Sequence, residues 1–252
     1  MSPRGLFGSI TTVAEILRKL EQSGMRVEVG DDFARYRSFR SRQADRNPVY
    51  PMFDVASSYV DRANGFWICG FDQSGTLVHT QAARLLDLSD VTLAHHLRVH
   101  RHKYITPDTT PDPDLTFYSG PDALEAITGK VCYHGEFWLH GRGLGGPRSQ
   151  GMTGLLSRVL FVLVAECWAP DFVFAFVPKK LAEKGAHLRY GYNHCERGRW
   201  IGPDQQVTEE DFMIWMSASD VRNSLSCAPP GLVTEERSPE AQPDLAATKL
   251  NA

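Results

Sequence analysis

The densest group of residues suited to chemistry is a glycine-rich segment, residues 141–154. It contains six glycines, one proline and two arginines, Arg142 and Arg148. Residues 155–168, apolar around most of their circumference, predict a buried helix directly after it. The first N–H groups of a helix lack intrahelical partners, and glycine lets the main chain approach an anion closely. The segment therefore predicts a phosphate site built largely from backbone; a simple connector between two elements is the alternative.

Two familiar phosphate motifs do not fit this segment. No Gly-Lys-Ser/Thr follows it, and its glycine spacing differs from the dinucleotide fingerprint. Residues 148–153 read Arg-Ser-Gln-Gly-Met-Thr. They resemble the Gln/Arg-x-x-Gly-x-Gly/Ala turn of the GNAT superfamily, the acyl-CoA-dependent N-acyltransferases, with Thr153 at the last position. The resemblance implies that this region binds acetyl-CoA or another acyl-CoA, through Leu139, Arg142, Gly145, Gly146, Arg148, Gly151, Thr153 and Gly154.

The order of predicted elements extends this resemblance over residues 25–203. A hairpin at 65–82, a strand at 131–140, the helix, an apolar strand at 172–177 and a short helix at 179–184 follow the family's sequence of elements. The resemblance implies an α/β fold with a mixed, mostly antiparallel sheet, a central splayed parallel strand pair and helices on both faces. We expect one domain over residues 10–227 with an insertion around 89–130, a flexible N-terminus (1–9) and a disordered tail (228–252).

Acyl transfer to an amine needs a base, an oxyanion donor and an acid for the departing thiolate. Glu136 is the candidate base, and the resemblance implies that a backbone N–H near residues 137–139 polarises the thioester. The family's usual acid is a tyrosine in the helix after the central strand, but residues 179–185 contain none. Tyr190, Tyr192 and His194 are the candidate substitutes, because a strand at 188–195 would put them on one face. Without an acid, the chain would be a non-catalytic GNAT-shaped CoA-binding or regulatory protein.

A second resemblance concerns the acyl donor. Phe53-Asp54 and Arg84-Leu-Leu-Asp resemble the entrance and first sheet of the N-acyl homoserine lactone and N-acyl amino acid synthases. This likeness implies that Arg84 binds the substrate or the carrier, and that acyl carrier protein is an alternative acyl donor.

Two further clusters have simpler interpretations. The arginines of residues 33–42 are expected to form a solvated helix face. His96 and His100, with His95 and His102 nearby, could stand one helical turn apart and bind a metal. No third ligand is evident, so no metal is expected and a solvated helix is favoured over a metal-dependent protein.

Composition limits the partners. A net charge of −3 gives no overall basic field for nucleic acid or an anionic membrane. The five cysteines include no Cys-x-x-Cys pair, and the longest apolar run, residues 159–165, is too short to span a bilayer. These features predict a cytoplasmic protein. The resemblance implies that it acts on a small-molecule amine, and a homodimer is compatible with the sequence.

Overall fold

One seven-stranded sheet forms the frame of the chain in a computed structural model, which describes residues 3–43, 45–106, 112–141 and 151–227. Its strand order is β1-β2-β3-β5-β6-β10-β7. Within it β5 and β6 run parallel, and every other neighbouring pair is antiparallel. The predicted mixed, mostly antiparallel sheet with one central parallel pair is therefore confirmed. A second sheet has three strands in the order β4-β8-β9.

The strands are β1 Arg26–Gly30, β2 Gly65–Phe71, β3 Leu77–Leu88, β4 Phe117–Ser119, β5 Gly129–Leu139, β6 Phe172–Pro178, β7 His194–Glu196, β8 Arg199–Ile201, β9 Val207–Glu209 and β10 Asp211–Ser217. The predicted hairpin is β2 and β3, joined through Asp72, whose side chain accepts from the N–H groups of Ser74 and Thr76. Such local bonds favour a tight turn.

The helices are α1 Pro3–Gln22, α2 Phe33–Arg40, α3 Leu93–His100, α4 Ala123–Ala126, α5 Met152–Cys167, α6 Lys179–Ala182, α7 Ala186–Tyr190 and α8 Ala218–Ser226. Asp32 caps α2 by accepting from the N–H groups of Ala34 and Arg35, as its position directly before the helix suggests. Helix α1 begins earlier than predicted, so residues 3–9 of the expected flexible N-terminus are helical. None of the helices in the described ranges is long and apolar enough to cross a membrane.

Two apolar cores cover the two faces of the large sheet. Helices α1 and α5 pack on one face, where α5 contributes Leu156, Leu160 and Val164, all fully buried. Helices α2, α3 and α4 pack on the other face with Tyr50 and Tyr104 of the loops and with Trp67 of β2 and Trp200 of β8. Each fully buried leucine or valine contributes about 1.5–3 kcal/mol. The near-continuous burial of α5 explains why its sequence is apolar all round.

One predicted strand is wrong, and one strand of the structure was not predicted. Residues 188–195 do not form one strand: α7 ends at Tyr190, and only the short β7 follows. Gly191 ends α7 with φ 84°, a left-handed conformation that suits glycine. Strand β10, which pairs along the full length of β6, was absent from the predicted elements.

Candidate active site

A cleft opens where the parallel strands stop pairing. The register of β5 and β6 runs from Val131 opposite Phe172 to Tyr133 opposite Phe174. Beyond it both strands continue without pairing with each other. The space between them is a cleft of about 390 Å³. That volume is in the range of small-molecule sites. The cleft is therefore a product of strand divergence in the middle of the sheet.

A bulge in β5 accompanies this divergence. Opposite β3, Thr80 faces Trp138 and Ala82 faces Gly135, so two residues of β5 lie opposite Gln81 alone. One of these two residues is Glu136, whose φ of 57° lies in the left-handed region. The Thr80 hydroxyl donates to the Glu136 carbonyl at 2.8 Å and holds the bulge in place. Because a bulge bends its strand, it turns the end of β5 away from β6.

Strand alternation gives the cleft two chemically different sides. The side towards α5, called here the α5 side, is lined by His134, Phe137, Ala175, Val177, Leu181 and Tyr190. The opposite side, called here the acidic side, is lined by Tyr50, Tyr104, Tyr133, Phe176, Glu209 and Asp211. One side is therefore largely apolar with two polar rings, and the other combines aromatic faces with two carboxyl groups. Arg40, Arg46 and Glu136 also line the cleft.

Asp211 is the carboxyl group best suited to proton transfer. It begins β10 opposite Pro178 of β6, and it is 7% exposed. Its Oδ2 accepts from the Trp200 indole N–H at 3.1 Å, whereas its Oδ1 has no hydrogen-bond partner within the described residues. Burial, followed by the charge of Glu209, raises the pKa of Asp211 to about 7. A carboxylate with that pKa can accept a proton near neutrality.

Glu209 is the second carboxyl group of the acidic side. Its Oε2 accepts from the Thr106 hydroxyl at 3.3 Å, and that hydroxyl lies 2.8 Å from the Tyr50 hydroxyl. Burial raises the pKa of Glu209 as well. Two partly desolvated carboxyl groups beside aromatic faces form an environment that favours an amine or ammonium group.

Glu136, the predicted base, is already engaged. Its side chain is fully buried and accepts from Arg40 Nε at 2.8 Å, the Tyr36 hydroxyl at 2.9 Å and the Tyr50 N–H at 2.9 Å. These bonds occupy both carboxylate oxygens, so the predicted catalytic role gives way to a structural one. Of the arginines expected on a solvated helix face, Arg35, Arg37 and Arg42 are exposed, and Arg40 alone is buried, at 6% exposure.

The three predicted acid substitutes lie in three different places. Tyr190, at the end of α7, lines the α5 side and packs its ring 4.6 Å from that of Phe137. Tyr192 is buried, with its hydroxyl 3.0 Å from His134 Nδ1. His194 lies outside the cleft, stacked on Trp215 at 3.9 Å. They do not share a strand face, and only Tyr190 reaches the cleft directly.

The described part of the predicted phosphate turn is the start of α5. Gly151 caps the helix in the left-handed conformation with φ 70°, and no side chain caps it. Thr153 is half-buried, and Gly154 allows close packing on α7, because an added Cβ would lie 3.4 Å from the Arg189 carbonyl. Leu139 points its side chain into the core. The remaining predicted binding residues, Arg142, Gly145, Gly146 and Arg148, lie outside the described residues.

Arg84 and the histidine cluster do not line the cleft. The terminal nitrogens of Arg84 donate to the carbonyls of Met52 and Tyr59, so this side chain ties two loop segments together. His96 Nε2 lies 2.8 Å from the Tyr104 hydroxyl. Across the described ranges, no group of three or more His, Cys, Asp or Glu side chains is arranged to hold a metal ion.

The cleft residues to which a chemical role is given below but that were not predicted include His134, Glu209 and Asp211. A usable signal existed for the last two, because Glu209-Glu210-Asp211 directly precedes the apolar run of residues 212–216. An acidic residue at the first position of a buried strand is a recognisable site for a desolvated carboxylate. For His134, the sequence alone does not separate a core histidine from a ligand-binding one.

Comparison with known proteins finds similarity to solved structures alone. No family model matches the chain, and no curated protein matches it. Among solved structures, it is similar to FeeM, an N-acyl amino acid synthase from uncultured soil microbes (10% identity, 89% of this chain, 90% of that one, TM-score 0.36).

It is also similar to the spermidine/spermine N-acetyltransferase SpeG from Vibrio cholerae (10% identity, 80% of this chain, 96% of that one, TM-score 0.41). A GNAT-family acetyltransferase from Staphylococcus aureus follows (9% identity, 76% of this chain, 99% of that one, TM-score 0.40). Because these identities are near 10% and the TM-scores are below 0.5, the activity of this chain has to be argued from its own residues.

Proposed function

We propose that the protein is an acyl-CoA-dependent N-acyltransferase that acts on an amine of a small molecule. The observation that carries the proposal is the unpartnered Oδ1 of Asp211, which belongs to a buried carboxyl group lining the cleft between two diverging strands; it has no partner within the described residues. A buried, unsatisfied carboxylate oxygen is costly in a folded protein unless a ligand uses it. An amine hydrogen is the complementary group.

The described residues fit an acyl-CoA on the other side of the cleft. The α5 side presents apolar walls from Phe137, Ala175 and Val177 to a pantetheine arm. Helix α5 starts nearby without a side-chain cap, and its positive end favours a diphosphate. When bound, an acyl-CoA would supply an activated acyl group whose transfer releases a thiol. Arg148 and Gly151 are the residues that the resemblance assigns to the diphosphate.

The chain's own residues supply the two proton transfers that such a reaction needs. Asp211 takes a proton from the acceptor nitrogen as its bond to the acyl carbon forms. Tyr190, on the opposite side, gives a proton to the sulfur as the carbon–sulfur bond breaks. The products are an amide and a free thiol, and solvent then returns a proton to Tyr190 and removes one from Asp211. Placing base and acid on opposite sides keeps them from neutralising one another.

The donor and location follow from the same reasoning. Acyl-CoA is preferred to acyl carrier protein, because Arg84, the residue that suggested a carrier, is occupied by two backbone carbonyls. A cytoplasmic location is proposed because acyl-CoA is available there. A homodimer remains compatible with this function.

A CoA-binding protein without catalysis is the second candidate, favoured by one observation: α6 carries no tyrosine. The two functions separate in a combined experiment. Calorimetry with CoA and acetyl-CoA measures binding, and mass spectrometry of acetyl-CoA reactions with a panel of amines measures transfer. The proposal predicts binding together with at least one N-acetyl product that Asp211→Asn abolishes and Glu210→Gln preserves. Binding with no product would support the second candidate, and no binding would refute both.

A further inference from the structure

His134 is a buried polar group of the cleft for which the proposed proton transfers have no use. It lies on β5, lines the cleft and is 3% exposed. Its ring packs 5.9 Å from that of Phe137 and 6.3 Å from that of Phe161 of α5, which places it on the α5 side. Its Nε2 has no hydrogen-bond partner within the described residues.

The hydrogen bond at Nδ1 fixes which ring nitrogen carries the proton. Nδ1 lies 3.0 Å from the hydroxyl of Tyr192, which is itself 1% exposed. Among the described residues His134 is this hydroxyl's hydrogen-bond partner, so the Tyr192 O–H must donate to Nδ1 to avoid a buried unsatisfied donor. Nδ1 is then an acceptor, and the proton of the neutral ring is on Nε2. His134 therefore presents an N–H donor.

This donor keeps its form over the physiological pH range. Burial lowers the pKa of His134 to about 3, so the imidazole stays neutral. A neutral imidazole can polarise a carbonyl without introducing a charge into an apolar wall. Two neighbouring buried groups, His79 and Gln81, also have atoms without a partner among the described residues, but neither lines the cleft.

We propose that His134 donates its Nε2–H to the carbonyl oxygen of the acyl thioester, with Tyr192 as the positioning residue that sets the tautomer. The inference rests on the proposed function. The α5 side is the half of the cleft assigned to the acyl donor, and the acceptor's base, Asp211, is on the other side. A desolvated N–H donor on the wall of the cleft stabilises the negative charge that develops on this oxygen. It adds a side-chain donor to the backbone N–H that the resemblance implies.

The test begins with the wild-type tautomer, which needs no variant and no activity. Long-range 15N–1H correlation spectra of 15N-histidine protein should show His134 protonated at Nε2 and neutral from pH 5 to 8. Tyr192→Phe should mix the two tautomers. A wild-type ring protonated at Nδ1 would overturn the inference, whatever the protein's activity.

The second arm examines the thioester itself. With acetyl-CoA labelled with 13C at the carbonyl, the wild-type protein should shift that resonance downfield, and His134→Leu should return it towards its free position. For turnover, His134→Leu should lower kcat about 10²–10³-fold, and His134→Gln, which keeps an N–H donor, should recover much of this loss. Affinity for CoA, which has no acyl carbonyl, should stay within about threefold.

The outcomes distinguish the inference from the proposed function. An unshifted carbonyl in wild type, or a kcat of His134→Leu within about threefold of wild type, would overturn the inference while acyl transfer stands. If wild type binds acetyl-CoA but acylates no amine, the proposed function fails, and the tautomer and carbonyl spectra still test His134. If His134→Leu lowers the affinity for CoA as much as it lowers kcat, then His134 acts by packing in the ground state. That result would overturn its role in polarising the carbonyl.

Discussion

Asp211→Asn should lower activity and raise stability at alkaline pH. The carboxyl group is 7% exposed, one of its oxygens has no partner in the described part of the chain, and its pKa is raised from 3.8 to about 7. A raised carboxyl pKa means that the folded protein resists the charged form. Asparagine cannot ionise, so the substitution removes a penalty that wild type bears whenever Asp211 is charged, and it also removes the proposed base.

The magnitude follows from the shift. A change of about 3 pKa units corresponds to about 4 kcal/mol between the protonation states, as an upper estimate. Between about pH 4 and pH 7 the carboxyl group of Asp211 is protonated in the folded state and ionised in the unfolded state. The stabilisation linked to this proton is complete below pH 4 and is lost as the pH rises through about 7. An unpartnered amide N–H in the variant costs about 1–3 kcal/mol at every pH, so it cancels in a comparison between two pH values.

Urea unfolding at pH 4.5 and pH 8.5 measures the effect. The stability of Asp211→Asn relative to wild type should improve by about 2–4 kcal/mol between these two pH values. Glu210→Gln is the matched control, because Glu210 is the adjacent carboxylate with a 48% exposed side chain paired to Lys179. It should change by less than about 1 kcal/mol. If the difference in the free energy of unfolding between wild type and Asp211→Asn is the same at both pH values, Asp211 is not a desolvated carboxylate.

Three further predictions concern turnover and the bulge. The kcat of wild type should rise with pH to a plateau with an apparent pKa of about 7, because Asp211 must be ionised to accept a proton; a flat profile in stopped assays would contradict this. Tyr190→Phe should lower kcat about 10²-fold or more while leaving calorimetric CoA affinity unchanged, as loss of an acid requires; unchanged kcat would remove Tyr190 from the mechanism. Glu136→Gln should destabilise the fold by about 3 kcal/mol in urea unfolding, because it leaves Arg40 buried without a countercharge. Unaltered stability would contradict the structural role.

The central sheet was predictable because its signals are local. Asp72 and Gly75 mark the hairpin turn, and the apolar residues of β6 and α5 identify buried elements without reference to the rest of the chain. The parallel pairing of β5 and β6 follows from the connection between them, since a helix crossover returns the chain in the same direction. These are properties that short windows of sequence carry.

The site was less predictable because its chemistry depends on long-range contacts. Glu136 has the residue type of a base, and only the folded chain brings Arg40, from a helix far earlier in sequence, to its carboxylate. The pKa of Asp211 is raised first by burial, which only the folded chain supplies, and then by the charge of Glu209, so the local sequence indicates the position of this carboxylate but not the pKa. The two-residue period predicted a strand that would put Tyr190 and Tyr192 on one face. Gly191 ends α7 between them, so the two side chains do not share a face.

A crystal structure with bound CoA tests the central claim most directly, because it shows where the ligand lies as well as whether it binds. We predict the pantetheine arm between β5 and β6, against Phe137 and Val177, its sulfur close to the Tyr190 hydroxyl, and the diphosphate at the start of α5. A CoA molecule that avoids this cleft, or a diphosphate far from Gly151, would contradict the proposed acyltransferase.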